Sequence, residues 1–239
     1  MNLTVKLSIV FAAATIVLSS GLAGAAMLIV PNVDSGGENL RVDSLGAATS
    51  LNVGFGNYVV GPAGVAAQWA RPIVQFPASS FSSIAGETIL SATLHYGIVS
   101  DFLEPGETGS SEVRIFSTDE TDLTTTNMNI FAALSGDGGA HTPIGTAPWS
   151  AGVTGPQSIL FSPAGLVGLY NAINSGDDTV AFAFREFSVV GIGADVLDEV
   201  VLGVPPGNLR LEIKATPEPS VLTLLGLGSL AILRRRRRA

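Results

Sequence analysis

The sequence predicts an all-β fold, a jelly-roll-like β-sandwich with one short helix, lying between two terminal segments of different composition. Three observations lead there. Apolar and polar residues alternate with period two in several runs of the middle of the chain, the pattern of strands with one face buried. Clusters of Gly, Pro, Asn and Ser punctuate those runs, as turns do in an all-β sandwich. Neither a glycine-rich phosphate loop nor a strand–helix alternation is present, so an α/β fold has no support. At 239 residues and 46% hydrophobic content, the chain suits one domain plus tails and can fill a core.

The strands come in order. In 88–96, Leu90, Ala92, Leu94 and Tyr96 point one way while Ser91, Thr93 and His95 point the other. In 112–115, Val113 and Ile115 are expected inward, with Glu112 and Arg114 outward. Residues 179–185 send Val180, Phe182 and Phe184 to one face. Residues 209–214 alternate strictly between Leu209, Leu211 and Ile213 and the charged Arg210, Glu212 and Lys214, a half-buried strand.

One helix is predicted between the second and third of these groups of strands. Ser162 suits the N-cap, Pro163 the first helical position and Gly176 the exit. Leu166, Leu169, Tyr170 and Ile173 fall at i, i+3, i+4 and i+7, a stripe expected to face the core. Gly165 and Gly168 each weaken such a helix by about 1 kcal/mol relative to alanine, so packing has to hold it. It is expected to plug one end of the sandwich.

The two ends read differently. Lys6 precedes an apolar run at 7–18 and a small-residue stretch at 19–26, in which Ala23-Gly24-Ala25 fits the rule for signal peptidase. Residues 1–25 are therefore expected to be a signal peptide, residues 26–215 the sandwich domain, and residues 216–239 a separate tail. That tail runs Thr216-Pro217-Glu218-Pro219-Ser220, then the apolar segment 221–233, then Arg234, Arg235, Arg236, Arg237 and Arg238. Thirteen residues of helix span about 20 Å, short of the ~30 Å hydrocarbon layer. The arginines would stay cytoplasmic and leave the body outside. The segment thus reads as a stop-transfer tail.

The order Pro217-Glu218-Pro219, short hydrophobic helix and arginine cluster closely resembles the PEP-CTERM sorting signal of Gram-negative and related bacteria. The resemblance covers roughly residues 216–239. It implies that a membrane transpeptidase, exosortase, cuts near the Pro-Glu-Pro motif and passes the protein to the cell surface or the exopolysaccharide matrix. The body is similar, more weakly, to the DNRLRE-type β-sandwich of bacterial surface proteins. That similarity rests on Arg71-Pro72-Ile73-Val74-Gln75-Phe76, on the hairpin and strand at 84–94, on Val113-Arg114-Ile115-Phe116, on the step from the 162–173 helix into 176–184, and on 208–213. Trp149 is only a loose match to the tryptophan region of that family.

Composition narrows the chemistry. The chain has no cysteine, which removes disulfides, thiolate catalysis and cysteine-held metals. Six basic residues against nineteen acidic ones over 27–216 give that stretch a charge of −13, so nucleic acid is not an expected partner. His95 and His141 are the two histidines. The first lies on an outward strand face and the second in a glycine-rich loop. No nucleophile elbow or zinc-protease motif accompanies them, so no catalytic residue is named and an enzyme is not expected. The acidic groups at 119–122, 177–178 and 195–199, with Asp34, Glu38 and Asp43, lack EF-hand or nonapeptide spacing. They read as solvated turns. No cofactor is expected, calcium being the ion that such carboxylates would take. Tyr96 and Tyr170 fit core stripes, which leaves Tyr58, Trp69 and Trp149 as candidate sugar platforms.

The expected function is that of an exported protein, sorted by its tail to the cell surface or extracellular matrix, with a structural or adhesive sandwich. The alternative is a carbohydrate-binding module for exopolysaccharide, aided by calcium. Expected partners are signal peptidase, exosortase, exopolysaccharide and, before processing, the membrane.

Overall fold

Period-two alternation becomes strand wherever the computed structural model describes it, namely over residues 26–31, 39–43, 47–52, 57–62, 68–101, 105–136, 140–187, 200–203 and 209–216. The expected signal peptide, residues 1–25, and residues 217–239 lie outside the described residues. The strands are β1 (Ala26–Pro31), β2 (Asn39–Asp43), β3 (Ala48–Asn52), β4 (Asn57–Pro62), β5 (Gln68–Pro77), β6 (Thr88–Asp101), β7 (Thr108–Thr118), β8 (Thr142–Ser150), β9 (Gly155–Leu160), β10 (Thr179–Phe187), β11 (Val200–Gly203) and β12 (Arg210–Thr216). Among the described residues two α-helices, α1 (Met128–Ser135) and α2 (Pro163–Ile173), interrupt them.

Among the described residues all pairings are antiparallel and form two sheets. In the first, β12 lies between β1 and β6, and β9 takes the other edge of β6. Strand β11 lies end to end with β12 along β6, its partners running from Gly97 to Asp101. The second sheet runs β5-β10-β7-β8, and β2 with β3 adds to β5. Strand β4 pairs with both β11 and β5 and so joins the sheets. Between them Leu94, Tyr96 and Leu211 of one sheet meet Phe76, Val113, Phe182 and Phe184 of the other in one apolar cluster. Edge-on ring contacts tie it together, with Phe76–Phe182 centroids 5.6 Å apart and Tyr96–Phe184 5.7 Å apart.

The sandwich is the expected one, with a second helix added. Helix α1 lies on the outer face of the second sheet, where Phe131 and Ala132 meet Ile73, Phe116, Ala181 and Ala183. The sheet is therefore buried on both faces, and the period-two reading of 112–115 needs correcting. Arg114 does point away from the sandwich core, yet it is only 6% exposed. It bonds Glu112 and donates from Nη1 to the Gly136 carbonyl at 3.1 Å. Arg71, 2% exposed, donates to Ser135 Oγ at 3.3 Å. Two buried guanidinium groups thus meet the C-terminal end of α1, where the helix dipole favours cations.

A second correction concerns Leu90, which is exposed rather than in line with Ala92 and Leu94. The register of β6 on β12 shifts between Ser91, opposite Lys214, and Ile89, opposite Ala215. The extra residue is Leu90, and the bulge turns Ile89 toward the core in its place.

Helix α2 confirms its caps, since Ser162 Oγ accepts from the Gly165 N–H at 3.0 Å and Gly176 has φ of 93°. Its buried face is not the expected stripe. Gly165, Gly168, Leu169 and Ala172 are buried, while Leu166 and Ile173 are only partly so. The helix is rotated because its backbone lies directly on β8. A Cβ on Gly165 would stand 2.8 Å from Ile144 Cα, and one on Gly168 2.7 Å from Thr142 Cβ. The glycines permit that approach.

Candidate functional site

Among the described residues, two concave places and one chain exit bring polar groups or chain ends together. The first is an open cavity of about 420 Å³ between the β7–β8 pair and the C-terminal half of α2, lined by Ser117, His141, Thr142, Asn171 and Ser175 and bordered also by Phe116 and Ala172. Gly168 also borders it, so the close approach of α2 to β8 shapes one wall. Burial lowers the His141 pKa first, and the Arg114 guanidinium lowers it further, against a bond to the Leu134 backbone that raises it. The imidazole is therefore neutral at pH 7. Its Nδ1 is buried and has no hydrogen-bond partner. A neutral lining of hydroxyl, amide and imidazole groups suits a hydroxyl-rich ligand better than an ion.

The second is the acidic loop that joins β7 to α1, where Glu120, Thr121, Asp122, Thr124 and Asn127 line a depression of about 350 Å³. Two buried amides organise it. Asn127 donates to Glu120 Oε2 at 2.7 Å and to the Asp122 carbonyl at 2.8 Å, and accepts from the Thr124 N–H at 2.7 Å. Gln75, reaching across from β5, donates to the Thr121 carbonyl at 3.3 Å and accepts from the Leu123 N–H at 3.2 Å. The loop's shape follows from these bonds. Among the described residues no group of three His, Asp or Glu side chains is placed to hold a metal ion.

The third is the end of the β1–β12 ladder. Ala26 is the register partner of Ala215, and Thr216 is that of Thr88. The first residue after the expected signal cleavage and the last residues before Pro217 therefore share one end of one sheet.

The candidate residues read from sequence fall in different places. Trp149 is 3% exposed and belongs to the sandwich core, so it offers no face to a sugar and is withdrawn as a platform. In its strand β8 Ala147 and Trp149 are buried at period two, while Ile144 is buried at a bulge, Gly145 lying opposite Val113 and Pro143 opposite Arg114, so simple alternation does not give the inward set. Tyr58 and Trp69 lie in β4 and β5, but their side chains are outside the described residues. So are Pro217, Glu218, Pro219 and the arginines 234–238, as well as Asp34, Glu38 and the 195–199 acidic group. His95 lies on the outer face of the first sheet, its Nε2 3.5 Å from Glu212 Oε2 on the neighbouring strand. Sequence reasoning left His141 in a loop with no neighbours. The strand pairs that bring it beside Ser117 and Asn171 leave no local trace in the sequence.

Comparison with known proteins bears on the tail. Residues 215–238 match the family described as PEP-CTERM protein-sorting motif. No curated protein matches the chain. Among solved structures, a chain of the cryo-EM structure of Mud crab tombus-like virus is similar at 12% identity, covering 83% of this chain and 86% of that one with a TM-score of 0.24. A superposition that loose carries no argument. Nothing in these comparisons supports the DNRLRE-type resemblance of the body. Among the described residues no helix is long and apolar enough to cross a membrane.

Proposed function

From the PEP-CTERM protein-sorting motif at residues 215–238 we infer that this exported, exosortase-targeted chain delivers a structural or adhesive β-sandwich to the cell surface or extracellular matrix. The motif match is the observation that carries the reading. Exosortase breaks a peptide bond near Pro217-Glu218-Pro219. The tail leaves with the new amino group, and the carbonyl carbon passes to water or to an acceptor nucleophile. The apolar segment and the five arginines hold the chain in the membrane until then. The body does no chemistry of its own in this reading.

The test is the mass of the surface-associated protein in a host with the matching exosortase. It should lack the residues after about Pro219, and replacing Pro217-Glu218-Pro219 with alanines should leave full-length protein in the inner membrane. Neutralising Arg234 to Arg238 should instead release uncut protein outward. An intact C-terminus at Ala239 in the wild type overturns the reading.

The cavity beside His141 favours a second reading of the body, as a module that binds exopolysaccharide. Its hydroxyl- and amide-rich lining supports a sugar ligand. Pull-down of the 26–216 body on matrix polysaccharide separates the two readings. Binding that Asn171→Ala weakens supports the module, and none at any concentration leaves the structural role.

A further inference from the structure

The sorting motif begins inside the folded body. The matched segment starts at Ala215, and β12 does not end until Thr216. Both residues therefore belong to the motif and to the sheet. Ala215 is fully buried and is held on two sides, by Ala26 of β1 and by Ile89 of β6. Thr216 pairs with Thr88, and Pro217 follows with no spacer.

An enzyme that grips an extended peptide does so through the peptide's backbone groups on either side of the bond it cuts. Backbone groups already paired across a sheet cannot serve two partners at once. The bulge at Leu90 sets the last two pairs of the β6–β12 ladder apart from the rest. Bulges interrupt a ladder and commonly end its pairing. Ala215 and Thr216 can therefore open as a unit while Leu211 and Ile213, both fully buried, keep β12 in place.

We propose that the end of β12 is a latch on sorting: exosortase takes the motif only when Ala215 and Thr216 have left β1 and β6. This rests on the sorting reading above and adds a control to it. Cutting is then limited by strand opening, and a chain whose first strand has not yet paired presents its motif more readily than the finished fold does. Because Ala26 faces Ala215, folding of the first strand closes the latch at the far end of the sequence.

Two variants of the full chain test this in a host with the matching exosortase, with the rate of tail loss followed by pulse labelling and mass. Inserting a spacer of about six Gly and Ser residues between Thr216 and Pro217 frees the motif without opening the sheet, and should speed tail loss several-fold. Thr88→Cys with Thr216→Cys places a pair on directly opposed residues, within disulfide reach, in a chain with no other cysteine. The oxidised form should keep its tail, and added reductant should restore cutting. A spacer that leaves the rate unchanged overturns the latch, as does equal cutting of the oxidised and reduced forms. If the double variant does not fold, the spacer result alone decides. Wild-type protein that never loses its tail overturns the sorting reading instead.

Discussion

Gly165 and Gly168 sit where an alanine would be the better helix former, and the structure explains their presence by contact. A Cβ at Gly165 meets the backbone of Ile144 at 2.8 Å, and a backbone atom of a paired strand cannot step aside. Alanine would gain about 1 kcal/mol of helix propensity and lose about 1–3 kcal/mol to overpacking. Gly165→Ala should therefore lower the thermal midpoint by several degrees, while Val167→Ala on the exposed face of the same helix changes it little. Scanning calorimetry of the two variants checks this. Tyr96 is the other residue with a measurable signature. Burial raises its phenol pKa from 10.0 to about 12, so folding favours the neutral form. That contribution is intact below pH 10 and is lost as pH rises from 10 toward 12. The wild type should lose stability across that window, and Tyr96→Phe should lose less, as read from thermal midpoints against pH. The burial of Tyr96 was legible from alternation along β6. The glycine contacts were not, because they are set by a strand about twenty residues away in sequence.

At the scale of the element, strand alternation named the sandwich core of β7, β10 and β12 correctly but could not say what covers the second face. In β10, Val180, Phe182 and Phe184 enter the sandwich core, and Ala181 and Ala183 enter a separate cluster beneath α1. The small alanines make room for Phe131 of the helix. Helix α1 has only eight residues and would not persist alone. What holds it is packing, two buried arginines and the loop before it. Asn127→Ala removes the hydrogen bonds to Glu120, Asp122 and Thr124 and leaves the Thr124 N–H without its acceptor. A cost of about 1–3 kcal/mol is expected, with faster amide exchange confined to 120–135. Exchange that stays uniform across the domain would refute this local account.

For the whole molecule, stability is expected to come from apolar burial between the sheets rather than from an ion. The acidic loop takes its shape from Asn127 and Gln75, so it has no need of calcium to order it. Excess chelator should then move the thermal midpoint by less than about 5 °C, which for a domain of this size is roughly 1–2 kcal/mol. A larger fall would reveal a structural cation.

The sequence by itself determined the class of the fold, the caps of α2 and the address carried by the tail. Each of these is a local code, written in period-two alternation, in a Ser-Pro start or in a Pro-Glu-Pro before an apolar run. Only the tertiary structure decided that Trp149 is core, that Arg71 and Arg114 are buried and that Leu90 is not. It alone set His141 in a polar cavity and paired Ala215 and Thr216 of the sorting motif into a sheet with Ala26 and Thr88. These depend on which strands become neighbours. Pairing across the chain is a sum of many weak contacts between distant segments, and no single stretch of sequence records it.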